Sequence, residues 1–581
     1  MARHLDEEAA VDRKLLVDDD DHFQIPPPKG PAITIIEDGK VEEVVNPPLS
    51  KFGFFLVFIG LLLAIFLAAL DQLIIGTALP ALAEEFNGLS QISWVGTSYL
   101  MTASASTPVY GKMSDIFGRK PTFLFAIITF EIGSLICAVS VNMIMLIVGR
   151  AIAGVGLGGV FTMVLLIIAE LVSMQERSKY QGLIGAVYGL SSVLGPIAGG
   201  LFTEHVSWRW CFYINLPIGA ITVLVVSLFL HLKSPEGSVM AKLRRVDFLG
   251  IIILILAVIA FVTAVQGGGT SFAWNSATSI ALFVVCGLLV ILFFIVELNV
   301  APEPIVPAAM FSNRSVYAGL ALAFFLGSAF FGLIYYVSVY FQVVSGDTPL
   351  MSGLHQLPGS AGVVAFSIIS GLVVSKTGQY VPFSIFGGCV AVIGTVFCSL
   401  WTLDTSTTVE YVGLFVFGVG IGSNIQVRVV AVQNAVEPRF IGVATALSTF
   451  FQTLGGAVGV AVLGAVFNNS LSSNLANLLP SAIVSLVIEQ PTLIRTLVSA
   501  DLQPAALQAF NSSITLAWKG WHTAICRLHQ ANVFECQTLI SLSLGSLGLG
   551  FVHKQDANQL TNKNNCKQHG NMYNNLSASS S

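Results

Sequence analysis

The sequence predicts an all-α polytopic membrane protein with thirteen or fourteen membrane-crossing helices, and three observations predict it. Of 581 residues, 54% are hydrophobic and only 10% are charged, where a soluble domain carries roughly 25% charged residues. The mean hydropathy is +0.80. The apolar residues are gathered into runs of about 20, the length that crosses a hydrocarbon core. Finally, the basic residues between those runs fall almost entirely on one side.

The first fifty residues stand apart. They hold twelve acidic and five basic side chains, so this arm carries −7 of the net −5 and the remainder sums to +2. Pro26 to Pro28 and the acidic runs predict a disordered arm, and the start lacks the basic-then-apolar pattern of a cleaved leader. No basic patch for nucleic acid exists. Cys137, Cys211, Cys286, Cys389 and Cys398 lie inside apolar runs with neither metal-ligand nor disulfide spacing, as small packing residues do.

Thirteen spans follow, at 52–75, 91–110, 122–142, 144–169, 180–203, 211–231, 248–266, 278–298, 316–341, 352–375, 381–401, 409–430 and 441–467. A fourteenth, 536–552, is short and rich in Ser and Gly. With the N-terminus inside, Lys112, Arg119, Lys120, Arg177, Lys179, Lys233, Lys242, Arg244, Arg245, Arg314, Lys376, Arg428 and Arg439 fall in cytoplasmic loops or at their edges, against Arg209 alone on the opposite side through the twelfth span, as the positive-inside rule requires. The segment 468–535 then reads as a long external loop, carrying the glycosylation sequons that begin at Asn468 and Asn511.

Charges inside lipid-facing spans mark pathways or pairs, because each costs at least roughly 2.5–3.5 kcal/mol at the bilayer centre. Asp71, Glu131, Arg150 and Glu170 are such charges. Asp71 in the first span and Arg150 in the fourth lie at similar depth and can face one another. A carboxylate so placed can have its protonation set by its surroundings, which is what proton coupling requires; a static pair joining two helices is the other reading. Gly154, Gly156, Gly158 and Gly159 predict close packing around the fourth span. Gly189, Gly195, Pro196, Gly199 and Gly200 do the same for the fifth and add a proline break.

Several stretches resemble a known family. Gly111-Lys-Met-Ser-Asp115-Ile-Phe-Gly118-Arg119-Lys120 resembles the loop motif of the major facilitator superfamily, and Arg150-Ala-Ile-Ala-Gly154-Val-Gly156 its second motif, with Ala153 where Gln is common. Gly195-Pro196-Ile-Ala-Gly199-Gly200 is similar to the motif of its antiporter branch. Leu70-Asp71 through Ala78-Leu79-Pro80, Trp208-Arg-Trp-Cys-Phe-Tyr-Ile-Asn215-Leu-Pro217, and Tyr340-Phe-Gln342 through Gly346, Pro349 and Gly353 to Leu357-Pro358 resemble the fourteen-helix drug:proton antiporters, especially fungal exporters of toxins and drugs. The likeness spans roughly residues 50 to 470.

The resemblance implies two six-helix bundles, 51–232 and 301–552, joined by two inserted helices in 233–300 and followed by a polar tail, 553–581. It implies a proton-coupled exporter of small organic compounds, with Asp71 and Arg150 at the proton site. A charge network of Asp115, Arg119, Lys120, Glu170 and Arg177 would tie helix ends in one state. Glu131, Tyr335, Gln342, Asn424 and Gln452, with Tyr336 and Gln426, are cavity candidates. The expected partners are a small-molecule substrate, protons and the bilayer; the expected state is a monomer in the plasma membrane, with the vacuolar membrane as alternative. A proton gradient would supply the energy without a cofactor, in keeping with the lack of a phosphate-binding glycine loop. No His, Ser or carboxylate constellation suggests an enzyme. A vacuolar carrier of basic amino acids and a non-transporting membrane sensor are the alternatives. The segment after about residue 514 departs from the family pattern, so the fourteenth helix is expected to insert weakly or not at all.

Overall fold

The computed structural model describes residues 32–37, 40–45, 50–86, 91–232, 235–268, 272–301, 303–476, 478–489 and 491–520. Span 536–552 and the tail lie outside these residues, as do Lys233 and most of the acidic arm. Within the arm, expected to be disordered, Ala32–Glu37 (β1) and Lys40–Val45 (β2) pair antiparallel. Ile and Val are frequent in both strands, and Asp38-Gly39 between them is a strong two-residue hairpin signal.

Thirteen helices follow the thirteen predicted spans. They are α1 Lys51–Glu85, α2 Ile92–Phe117, α3 Arg119–Ala138, α4 Met143–Leu171, α5 Met174–His205 and α6 Trp210–Phe229; then α7 Phe248–Gly267 and α8 Ala277–Asn299; then α9 Arg314–Ser345, α10 Leu350–Thr377, α11 Val381–Ser399, α12 Thr407–Asn434 and α13 Pro438–Leu475. Twelve are long and apolar enough to cross a membrane; α2 alone falls short in hydropathy. Its hydroxyls explain why. Ser98, Thr102 and Ser106, one per turn, donate to the Ile147, Ala151 and Val155 carbonyls of α4 at 3.3, 2.7 and 3.2 Å. Between them Gly154 and Gly158 leave room for the α2 backbone, so polarity that would be costly against lipid becomes a helix-helix seam.

Two apolar cores result. One joins α1 to α6, the other α9 to α13. The inserted α7 packs Val258 and Val262 against Ala105 of α2, Leu320 of α9 and Leu447 of α13, covering a seam between the halves, while α8 is largely exposed to the surroundings.

The described part of the segment expected to be a long external loop, up to residue 520, is structured instead. Helix α13 continues to Leu475, Ser481–Glu489 forms a short helix, and residues 503–520 form another. Ala506, Phe510, Ile514 and Trp518, at four-residue spacing, are fully buried in the second core. Trp518 packs 5.5 Å from the Trp401 ring and 6.1 Å from Tyr340. This overturns the glycosylation reading of Asn511, which is 3% exposed and donates to the Trp401 carbonyl at 3.1 Å. Asn468 likewise lies within α13, half-buried on a continuous helix rather than on a loop.

Candidate functional site

The first candidate cluster lies inside the N-terminal bundle. Arg150 Nη1 donates to Asp71 Oδ2 at 2.7 Å, and the two side chains are 1% and 0% exposed. Asn215 of α6 donates to Asp71 Oδ1 at 2.9 Å and contacts Ser134 of α3 at 3.2 Å. The guanidinium also donates to the Val95 carbonyl at 3.3 Å and lies 3.7 Å from the Tyr99 ring centroid. Cation, carboxylate and aromatic face thus compensate one another out of contact with the surface. Asn215 stands in the stretch Trp208–Pro217, yet nothing in its spacing announces that it holds Asp71.

Glu131 does not face the central cavity. It sits on α3 one turn from Ser134, against Gly219 of α6, and neither of its buried carboxyl oxygens has a hydrogen-bond partner among the described residues.

A cavity of about 100 Å³ lies between the halves. Gln72 of α1 reaches it and accepts from Tyr188 at 3.3 Å, so neighbouring residues of one helix turn to different sites: Asp71 into the bundle, Gln72 towards the cavity. Phe161, Tyr188, Phe330 and Phe331 supply aromatic wall, and Gln426 and Gln452 are polar lining residues, as expected. The other candidates are elsewhere. Asn424 accepts from Ser384 Oγ at 2.9 Å and serves packing between α11 and α12. Tyr336 is buried against Phe467 and Gly464. Tyr335 lies one turn beyond Phe331 and is half exposed without lining the cavity, while Gln342 lies in the π-helical end of α9.

Arg428 requires the largest correction. Counted as a cation at the cytoplasmic edge of its span, it is instead 2% exposed within α12 and lines the cavity. Its Nη1 donates to Ser448 Oγ at 2.7 Å and its Nη2 to Gln452 Oε1. The basic-residue asymmetry rests on the other positions.

Around Gly118 the halves close against each other. Gly118, at φ 98°, makes the break between α2 and α3 that glycine permits. Arg119 pairs with Asp115 at 2.5 Å and Glu170 at 3.3 Å. The expected network is smaller than predicted: Arg177 donates to the Ala169 carbonyl at 2.5 Å, and Lys120 to the Ser227 carbonyl at 2.8 Å. The Asp115 carboxylate abuts Gly442 at the start of α13, where a helix N-terminus favours negative charge. Gly111 lies against Gly442 and Ala446, a spacing any Cβ would disturb.

Helix α5 is the wedge between the halves. Gly195 and Gly199 fit against Leu73, Ile74 and Thr77 of α1, while Gly189, Pro196 and Gly200 face Val364, Gly353 and Leu350 of α10. The antiporter-type motif therefore packs one face of α5 on α1 within its own bundle and another on α10 of the opposite half.

Two helical bundles, an ion pair sealed within one and a cavity between them define a membrane transporter of the two-bundle kind. A family model described as Major Facilitator Superfamily matches residues 61–460, and the chain belongs to that superfamily. It is 38% identical over 493 residues to the MFS-type transporter astH of Aspergillus oryzae, covering 84% of this chain and 87% of that one. It is 39% identical over 476 residues to the efflux pump aflT of Aspergillus parasiticus, covering 80% and 92%. These relatives are transporters, not enzymes. A solved structure of the proton:xylose symporter XylE matches with a TM-score of 0.52 at 15% identity, over 82% of this chain and 96% of that one, a likeness of fold alone.

Proposed function

We propose that this protein exports small organic compounds, such as secondary metabolites or toxins, across the plasma membrane in exchange for protons, by alternating access, with its N-terminus in the cytoplasm. The relatives named as efflux pumps support the direction of transport. Lys112, Arg119, Lys120 and Arg245 near one end support the orientation. The observation that carries the proton coupling is the sealed Asp71–Arg150 pair on a helix whose next residue reaches the cavity.

In the proposed cycle a substrate enters from the cytoplasm and favours loss of the Asp71 proton. Reorientation exposes the cavity outside, where protonation of Asp71 favours release and return. Communication would run through α1 and the Gln72–Tyr188 contact rather than by direct touch. Only a difference in affinity between the two facing states can drive such a cycle. A carrier of basic amino acids fits less well, because its cationic substrate would meet Arg428 in the cavity wall.

The test is substrate movement in vesicles under an imposed pH gradient, using a panel of neutral and charged aromatic compounds with the natural chain and Asp71→Asn. Gradient-driven movement lost in Asp71→Asn is the expected result. Movement indifferent to the gradient, or unchanged in the variant, would reject proton coupling.

A further inference from the structure

We propose that the central cavity selects organic anions, aromatic compounds bearing a carboxylate or an acidic phenol or enol, and that Arg428 is the residue that recognises the negative group. This narrows the export reading above and rests on it for direction, though not for binding.

Arg428 has no carboxylate within ion-pair distance among the described residues. Its recorded acceptors, the Ser448 hydroxyl and carbonyl and the Gln452 amide oxygen, are all neutral. Its Nε donates to no acceptor among the described residues. An isolated buried charge is expensive, and a guanidinium is built to grip a planar anion through two parallel hydrogen bonds.

The backbone is shaped for the same purpose. Helix α12 breaks at Gln426, between the helical pieces Thr407–Ile425 and Val427–Asn434. Interrupted helices are found where transporters hold substrate. The Gln426 Oε1 beside the break is buried without a partner among the described residues, so a hydroxyl on the occupant would also be satisfied. The aromatic wall of Phe161, Tyr188, Phe330 and Phe331 suits a flat ring system. Ring against aromatic wall and anion against Arg428 together define an aromatic acid.

The chain purified whole in detergent provides the test. Binding of 2-naphthoate and of its neutral amide, 2-naphthamide, is measured for the natural chain, Arg428→Gln and Arg428→Lys. The expected result is at least about tenfold tighter binding of the carboxylate by the natural chain, equivalent to about 1.4 kcal/mol. Arg428→Gln should erase that preference, weakening the carboxylate far more than the amide, and Arg428→Lys should retain part of it, since a lysine keeps charge without the planar fork.

Equal affinity for acid and amide in the natural chain overturns the proposal without any variant, as does failure to bind either. A preference that survives Arg428→Gln overturns the role of Arg428. Vesicle flux separates this inference from the export reading: movement of neutral compounds with exclusion of acids leaves export standing and removes anion selection. Acid binding without flux has the opposite meaning.

Discussion

Each half of the molecule buries one arginine on its fourth helix, and the two are treated in opposite ways. Arg150 on α4 is neutralised by Asp71 within its own bundle. Arg428 on α12 meets only neutral acceptors and lines the cavity between bundles. The helices are otherwise alike. Gly154-Val-Gly156-Leu-Gly158 of α4 repeats as Gly418-Val-Gly420-Ile-Gly422 of α12. Gly156 lies against Phe130 of the third helix and Gly420 against Ala391 of α11, while Gly154 and Gly418 approach the second helix of their respective halves. Aligning the repeats places Leu414 opposite Arg150 and Val164 opposite Arg428. A shared packing scheme therefore carries charge at different depths: one is internal to a bundle and complete, the other is open to whatever fills the cavity.

The comparison breaks most readily at the complete site. Asp71→Ala leaves Arg150 buried without its counter-ion, and breaking such a pair costs about 3–5 kcal/mol. Thermal unfolding of the purified chain should show a large loss of stability, greater than for Asp71→Asn, which keeps a polar group for Arg150. Near-natural stability of Asp71→Ala would mean that the pair is not the internal clamp described. The next effect tests the repeat. A Cβ on Gly156 would press into the Phe130 backbone, and one on Gly420 into that of Ala391. Overpacking of this kind costs about 1–3 kcal/mol, so Gly156→Ala and Gly420→Ala should lower the unfolding temperature by similar amounts. A cost in one half alone would show that the repeated sequence does not repeat the packing energetics.

These contrasts also explain what was legible in the chain. Asp71 and Arg150 were conspicuous because charge inside an apolar run has few reasons to exist. Arg428 was concealed by the same logic, since it lies two residues from the apparent end of its span and counted as a cation at the cytoplasmic edge. The glycine repeat was the available signal: matching α12 to α4 places Arg428 opposite Val164, well inside α4. Cavity lining was the least legible property, because Asn424 and Gln426 are two residues apart on one chain yet serve different neighbours, and only the rotation of α12 decides which. Helix 503–520 escaped notice because Asn511, Ser512 and Ser513 dilute its hydropathy, although Ala506, Phe510, Ile514 and Trp518 mark one face at helical spacing.

The smallest expected effect concerns how the inserted helices are tied to the halves. Glu303, in the connection from α8 to α9, pairs with Lys112 of α2 at 2.9 Å and with Arg245, which precedes α7, at 2.5 Å. Burial pushes the Glu303 carboxyl up, but the hydrogen bonds and charges of Arg245 and Lys112 outweigh it and hold the group below its ordinary value of 4.5. A carboxyl lowered by folding contributes stability that is complete above its unfolded value and is lost as pH falls through its folded value. The side chain is 30% exposed, so solvent screening limits the clamp to less than about 1 kcal/mol. Glu303→Gln should therefore lower the unfolding temperature slightly at about pH 7, and the gap from the natural chain should close as pH falls through the lowered folded value of the Glu303 carboxyl. Added salt should narrow the gap at neutral pH. A gap unchanged at acid pH would assign the contribution of Glu303 to shape rather than charge, and the connection would then hold the inserted helices by packing, as the apolar contacts of α7 already do.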